Sequence, residues 1–388
     1  MKNIKIINKI SPAGLARFDM DTYRCGENVT KEEGIVVRSA DMHEMQFAPT
    51  LKAIARAGSG TNNIPLDRCS EQGIVVFNTP GANSNAVKEM VFLSLLISSR
   101  KIPDALNWVQ TLKGEGENIP ELVEKFKSNF AGPELKGKSL GIVGLGAIGR
   151  QVANLATRFD MTVYGYDPYI SVDSAWELSR AVIHARSMEE IYKNCDYITL
   201  HLGVTEQTIG MINAESIRSM KRGVRILNFS RGDLVISEDI VEAIKDVRIR
   251  SYVTDFPDDI LIGQPGVICL PHLGASTPES EENCARWAAD QLIDYLENGN
   301  IRNSVNMPTV YAERAGDMRV GCIHQNIPTM IAQISNSFSE ATINIENLTS
   351  KSRGDYAYTI VDVTGDVNEA LVSKLKAIQG VIRVSLYD

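Results

Sequence analysis

Short apolar runs alternate with longer polar stretches along most of this chain, the pattern of parallel βαβ units. Runs at 5–8, 34–38, 51–57 and 74–78 read as strands. Residues 86–99 read as a long, mostly apolar helix broken near Pro103, and 107–138, rich in Gly, Pro, Lys and Glu, as a surface connection. A second series starts at Ser139, with strands at 139–143, 162–167, 196–201, 224–230, 251–255 and 266–270 and helices at 147–159, 187–194 and 214–221. Two doubly wound, Rossmann-like parallel-sheet lobes follow, so the fold class is α/β.

Residues 277–298 read as a helix. Thr277 can cap it, Pro278 fits its first position, and the acids behind them suit its positive end. After a stretch at 303–313 containing Pro308, the order changes. Strands at 318–323, 341–349, 357–364 and 381–386 interleave with helices at 329–339 and 368–378, a βαββαβ ferredoxin-like plait.

The 388 residues allow two or three domains. Hydrophobic content of 44% and charged content of 23% exclude wholesale disorder. A net charge of −8 gives no nucleic-acid footprint, and no apolar run is long enough for a membrane span. No secretory signal is visible at the N-terminus. Six scattered cysteines with no Cys-x-x-Cys pair read as free thiols of a reducing, cytoplasmic setting, with no metal site.

The first chemistry lies in Gly144-Leu-Gly146-Ala147-Ile148-Gly149, which follows an apolar strand and opens a helix. Gly144 permits a tight turn, Gly146 lets backbone approach a pyrophosphate, and Gly149 lets helix and strand pack closely. The helix N-terminus then faces the phosphates. Asp167 ends the next strand, near the offset of a ribose-binding acid. A carboxylate accepts from a 2′-hydroxyl and repels a 2′-phosphate, which favours NAD over NADP.

Oxidising an alcohol with NAD also needs a base and a cation. Only five histidines are available. His272, in Pro271-His-Leu-Gly274-Ala-Ser-Thr277, lies just past a strand, and so does Arg231 in Asn228-Phe-Ser230-Arg-Gly232. Strand C-termini are where α/β sheets bind ligands. His43 and His184 look like surface residues, and His201, at a strand end, could line the adenine side.

These motifs, together and in order, resemble the D-isomer-specific 2-hydroxyacid dehydrogenases over about 300 residues. Ile35-Val-Val-Arg38-Ser39, Arg56-Ala-Gly58-Ser59-Gly60 and Asn78-Thr-Pro80 fit the substrate lobe of the branch acting on phosphorylated glycerate. The C-terminal plait resembles an ACT domain. The resemblance implies oxidation of 3-phosphoglycerate at C2 with NAD, the entry to serine synthesis, in a cytoplasmic homodimer or homotetramer. It implies His272 as base, Arg231 on the carboxylate, Arg38, Ser39 and Gly58 on the substrate, and Asp259 (or Asp258) in place of the family's histidine-orienting Glu. Cofactor contacts would come from Ser59, the glycine loop, Asp167, His201, Leu202, Gly203, Ser230, Asp255 and Gly274. Gly203 stands where the family usually has Pro. His324, Asn326 and Asn344 would bind a serine effector across a dimer interface. The implied domains are 1–99 with 281–305 for the substrate, an inserted NAD lobe at 100–280, a linker at 306–316 and the plait at 317–388. Two alternatives stay open: a glycerate-type D-2-hydroxyacid dehydrogenase, and a non-catalytic NAD-binding regulator on the same fold.

Overall fold

The computed structural model describes all residues Met1–Asp388 and divides into two compact units, Met1–Asn83 with Pro278–Asp388, and Ser84–Thr277.

The first unit holds two sheets. One is parallel and five-stranded: β1 (Lys2–Ile7), β2 (Tyr23–Gly26), β3 (Gly34–Val37), β4 (Ala53–Arg56) and β5 (Val75–Phe77), in the order β2-β1-β3-β4-β5. β3 to β5 are mostly buried, so they read as continuous apolar runs rather than alternating ones. The short edge strand β2 carries too little pattern to stand out in the sequence. The helix Pro278–Asn298 packs on this sheet through Cys284, Ala285, Ala288, Ala289, Leu292 and Tyr295, spaced to share one face.

The second unit is built on a seven-stranded parallel sheet: β6 (Ser139–Val143), β7 (Thr162–Tyr166), β8 (Ile183–His184), β9 (Tyr197–Leu200), β10 (Val224–Asn228), β11 (Ile249–Thr254) and β12 (Val267–Cys269). The order β12-β11-β10-β9-β6-β7-β8 reverses direction between β6 and β9, the point where such sheets bind ligands. The stretch 107–138 is not a plain connection. It shares the helix Ile102–Gln110, which begins with Pro103, and contains the helix Ile119–Phe126. Pro at the start of a helix removes no hydrogen bond, so Pro103 opens a helix instead of only ending one. Trp108 joins the two by packing its ring on Phe126 and Phe130.

The plait, in the first unit, pairs β13 (Met318–Gln325), β14 (Asn344–Arg353), β15 (Tyr356–Thr364) and β16 (Val381–Tyr387) in the antiparallel order β14-β15-β13-β16. One face, with Val320, Cys322, Val361 and Val363, packs on its two helices through Ile334, Phe338, Leu371 and Leu375. The other face joins the core of the substrate lobe through Ile323, Tyr358 and Ile360. Arg319, 1% exposed, makes a two-bond pair with Asp362 (2.6 and 3.0 Å). It also donates to the carbonyls of Asn298 (2.9 Å) and Ala312 (3.1 Å). Tyr358 donates to the Gly299 carbonyl at 2.8 Å. The stretch 306–316 is tied in as well: Ile301 and Val310 exchange backbone bonds, and Met307 and Val310 are fully buried. No helix is long and apolar enough to cross a membrane.

Candidate active site

In the second unit, strand register collects the chemistry at one end of the sheet. Val143 lies opposite Tyr166 and Leu200, Asn228 opposite Thr254, and Thr254 opposite Cys269. The residues that follow these positions therefore share the sheet's C-terminal edge: the glycine loop, Asp167, His201, Arg231, Asp255 and His272.

The glycine loop is shaped by what a side chain would hit. A Cβ on Gly144 (φ 92°) would lie 2.4 Å from the His201 carbonyl oxygen and 2.8 Å from Leu202 Cδ2, and one on Gly149 would lie 1.9 Å from the Gly144 oxygen. A Cβ on Gly146 meets nothing within 4 Å, so its backbone borders open space. Gly146 precedes the helix Ala147–Arg158, and no side chain caps that N-terminus. Its amides stay available to an anion, which the helix dipole favours. Asp167 braces the loop, accepting from Leu145 N and Tyr169 N, each at 2.9 Å. It also lines a cavity of about 520 Å³ with Leu145, Ile170, Arg180, Val182 and His184. Arg180 and His184, neither expected at the site, border this space.

His201 sits on the rim by its backbone only. Its ring turns inward, with Nε2 3.0 Å from Thr199 Oγ1 and Nδ1 buried without a partner. Burial pushes its pKa down to about 3. Gly203 has open space around it and accepts from Thr208 Oγ1 at 2.8 Å. Ser230 spends its hydroxyl on the Leu200 carbonyl (2.7 Å).

The reactive end is assembled from three loops. Asn228, fully buried, donates to the Arg231 carbonyl at 2.8 Å and accepts from Ser230 N at 3.1 Å, which fixes the turn. Arg231 is exposed and uses Nη1 on the Ser230 carbonyl (2.6 Å), leaving the rest of its fork to a ligand. Asp255, 1% exposed, accepts from Gly274 N at 2.9 Å, while its Oδ1 is buried with no partner. Burial raises its pKa, and the Gly274 N–H and the charge of His272 oppose the rise. The His272 ring lies against Phe256, centroids 4.7 Å apart.

Beside His272 is a cavity of about 560 Å³, which Asp233, Ser237, Asp255, Phe256 and Asp258 also line. Asp258 accepts from Ser237 Oγ (2.5 Å), Ile260 N (3.0 Å) and Leu261 N (2.9 Å). Asp259 is exposed and does not line this cavity. The structure thus brings Asp258, and not Asp259, to the space beside the histidine.

The first unit carries the expected substrate residues. Ile7 lies opposite Val37, and Val37 opposite Arg56, so Arg56 ends β4 one position before the level of Asn8 and Arg38, which follow β1 and β3. Asn8, at φ 72°, points Oδ1 at the N–H groups of Arg38, Ser39 and Ala40 (3.4, 3.1 and 2.8 Å). Arg38 Nη2 reaches Glu281 Oε1 at 2.7 Å. The charges of both Arg56 and Arg38 act on the buried Cys284 thiol, against the rise in its pKa caused by burial. A Cβ on Gly58 would lie 2.3 Å from Arg56 Nη1, so that turn folds directly over the guanidinium. Asn78 Nδ2 holds the Ser59 carbonyl at 2.7 Å. Arg56 is a further cation at this edge, beyond the residues the family resemblance implies for the substrate.

In the plait, His324 is 3% exposed and its ring is engaged on both sides, by the Gln325 carbonyl (2.8 Å) and Thr359 Oγ1 (2.9 Å). Asn326 donates to the Gly354 carbonyl and Asn344 to Glu346 Oε1. The antiparallel register puts Asn344 at the end of the sheet opposite His324 and Asn326. One copy of the chain does not bring the three together.

The features at the sheet edge fit NAD. An uncapped helix N-terminus answers the pyrophosphate, the open face of Gly146 gives it room, and the orphaned Asp255 Oδ1 needs a donor such as a carboxamide N–H. Fold and site together define a dinucleotide-dependent oxidoreductase. The profile of the D-isomer specific 2-hydroxyacid dehydrogenase NAD-binding domain matches residues 92–274. The D-3-phosphoglycerate dehydrogenase of Haemophilus influenzae is 32% identical over 351 residues, 87% of this chain and 82% of that protein. That of Methanocaldococcus jannaschii is 34% identical over 302 residues, 76% of this chain but only 55% of the longer relative. A solved structure, the NAD+-bound 3-phosphoglycerate dehydrogenase of Entamoeba histolytica, superposes with a TM-score of 0.61 at 26% identity, covering 79% of this chain and 98% of that one. The chain belongs to the D-isomer-specific 2-hydroxyacid dehydrogenase family, and its reaction is the NAD-dependent oxidation of a 2-hydroxy acid.

Proposed function

We propose that the substrate is 3-phospho-D-glycerate, oxidised at C2 to 3-phosphohydroxypyruvate in the first step of L-serine synthesis. The observation that carries this is the presence of Arg38 and Arg56 at the ends of adjacent strands, both near enough to the Cys284 thiol to act on it, with the backbone of Arg38 to Ala40 pinned by Asn8. Two guanidiniums suit a phosphate that a neutral C3 substituent would not need. The relatives from Haemophilus and Methanocaldococcus, both D-3-phosphoglycerate dehydrogenases, support the same choice.

Bound NAD supplies the acceptor for the C2 hydride. His272 takes the C2 hydroxyl proton at a ring nitrogen as the carbonyl forms. Arg231 offers its free N–H groups to the substrate carboxylate and to the carbonyl oxygen that gains electron density. Asp255 holds the carboxamide side of the nicotinamide with Oδ1 and keeps the Gly274 turn in place with Oδ2. Arg38, Ser39 and the Gly58–Ser59 turn bind the anionic substrate. Asp258, fixed by Ser237 and the turn amides, lines the same cavity as His272 and orients it. A regulator that binds NAD without turnover would need neither Arg231 nor His272 at the same sheet edge.

The plait serves as a serine-sensing module. The His324 ring is turned inward, so contacts to serine come from Asn326 and Asn344 of different copies of the chain in a homodimer or homotetramer. The six free cysteines fit a reducing, cytoplasmic compartment.

His272→Ala tests the assignment of the base. NAD affinity should stay within about twofold while kcat falls by two to four orders of magnitude, the usual worth of a general base. Equal losses in both would remove His272 from proton transfer. Activity indifferent to millimolar L-serine would remove the sensing role.

A further inference from the structure

The Arg38–Glu281 contact has consequences for substrate affinity. Arg38 Nη2 donates to Glu281 Oε1 at 2.7 Å, while its Nε and Nη1 make no hydrogen bond. Glu281 stands in the first turn of the helix Pro278–Asn298, where the helix dipole already favours a carboxylate. Both side chains are partly open to solvent, 42% and 45% exposed, so an incoming anion can exchange with the carboxylate. Beside them, Arg38 and Arg56 both act on Cys284 of the same helix. The resident carboxylate therefore lies where an anionic substrate group would be received.

We infer that Glu281 is a built-in competitor that occupies Arg38 until a substrate phosphate displaces it, and so sets the affinity of this site for anions. This role rests on Arg38 being the phosphate anchor. A carboxylate offers one charge, and here it engages one nitrogen of the guanidinium. A phosphate dianion brings more charge and can take two N–H groups of the fork at once, so it can displace the carboxylate. The competition weakens every anion that needs Arg38 by the same factor. The exposed pair is weak, so the effect is mild and does not block the site.

The test is Glu281→Gln, which keeps the shape and removes the charge. Kinetics would be measured on the full-length enzyme with NAD, giving KM for 3-phospho-D-glycerate and the inhibition constant of inorganic sulfate, a free anion. Losing a partly exposed ion pair should lower KM by about two- to fivefold. Sulfate should inhibit more tightly by at least the same factor. In an Arg38→Gln background the same change should do nothing, because the group being competed for is gone. If Glu281→Gln leaves KM and sulfate inhibition unchanged while Arg38→Gln raises KM, Glu281 is no competitor, though Arg38 keeps its task. If Arg38→Gln leaves KM unchanged as well, the phosphate anchor itself is misplaced and the inference falls with it.

Discussion

His201 should make this protein acid-sensitive in a way one substitution removes. Its imidazole is enclosed, with one nitrogen on Thr199 and the other without a partner, and burial takes its pKa down to about 3. In the unfolded chain a histidine titrates near 6.5. Between those values the unfolded state binds more protons, so stability is full above about pH 6.5 and falls as pH drops. The slope is about 1.4 kcal/mol per pH unit. From pH 6.5 to pH 5 the loss is about 2 kcal/mol from this residue alone. His201→Gln keeps a polar partner for Thr199 and cannot take up the proton. Urea unfolding of both proteins at pH 7 and pH 5 isolates the effect, since every other titrating group is common to both. The wild type should lose about 2 kcal/mol more than the variant over that interval. Equal losses would mean the ring is solvated and the enclosure described for it is wrong.

Three further outcomes follow from the geometry. Gly149→Ala places a methyl 1.9 Å from the Gly144 oxygen, so NAD affinity measured by calorimetry should fall at least tenfold; unchanged affinity would refute the close packing of helix and loop. Arg319→Met strands the buried Asp362 carboxylate and should cost about 3–5 kcal/mol. Hydrogen exchange of 318–325 and 356–364 would report this, and the double variant Arg319→Met/Asp362→Leu should recover most of the loss. Asp258→Asn should lower kcat/KM and alter the acid limb of its pH profile, while Asp259→Asn leaves both in place; the opposite result would return the orienting role to Asp259.

The parts of the site that were legible in the sequence are those whose chemistry is local. The glycine loop works within six residues, and its acid is read from the next strand end. His272 and Arg231 follow apolar runs, so their place at a strand terminus could be seen before any fold. The misses have different causes. Helices Ile102–Gln110 and Ile119–Phe126 bury no residue fully and are only nine and eight residues long, so their apolar faces are too short to stand out from the charged, Gly- and Pro-rich stretch around them. Arg319 sits in an apolar strand, where a lone charge reads as solvent-facing; only its pairing with Asp362, 43 residues on, lets it be buried. Asp258 and Asp259 are adjacent and chemically alike, and what separates them is a turn whose amides take up Asp258. Arg56 needed the β3–β4 register to bring it to the same sheet edge as Arg38, one position away.

The proposed reaction is the oxidation of a phosphorylated D-2-hydroxy acid with NAD. The direct measurement is NADH formation from NAD with 3-phospho-D-glycerate, D-glycerate or D-lactate as the only oxidisable substrate, in the wild type and in Arg38→Gln. 3-Phospho-D-glycerate should have the highest kcat/KM by more than about tenfold, and Arg38→Gln should remove most of that preference. A preference for D-glycerate or D-lactate, or no NADH from any of the three by an enzyme that binds NAD, would contradict it.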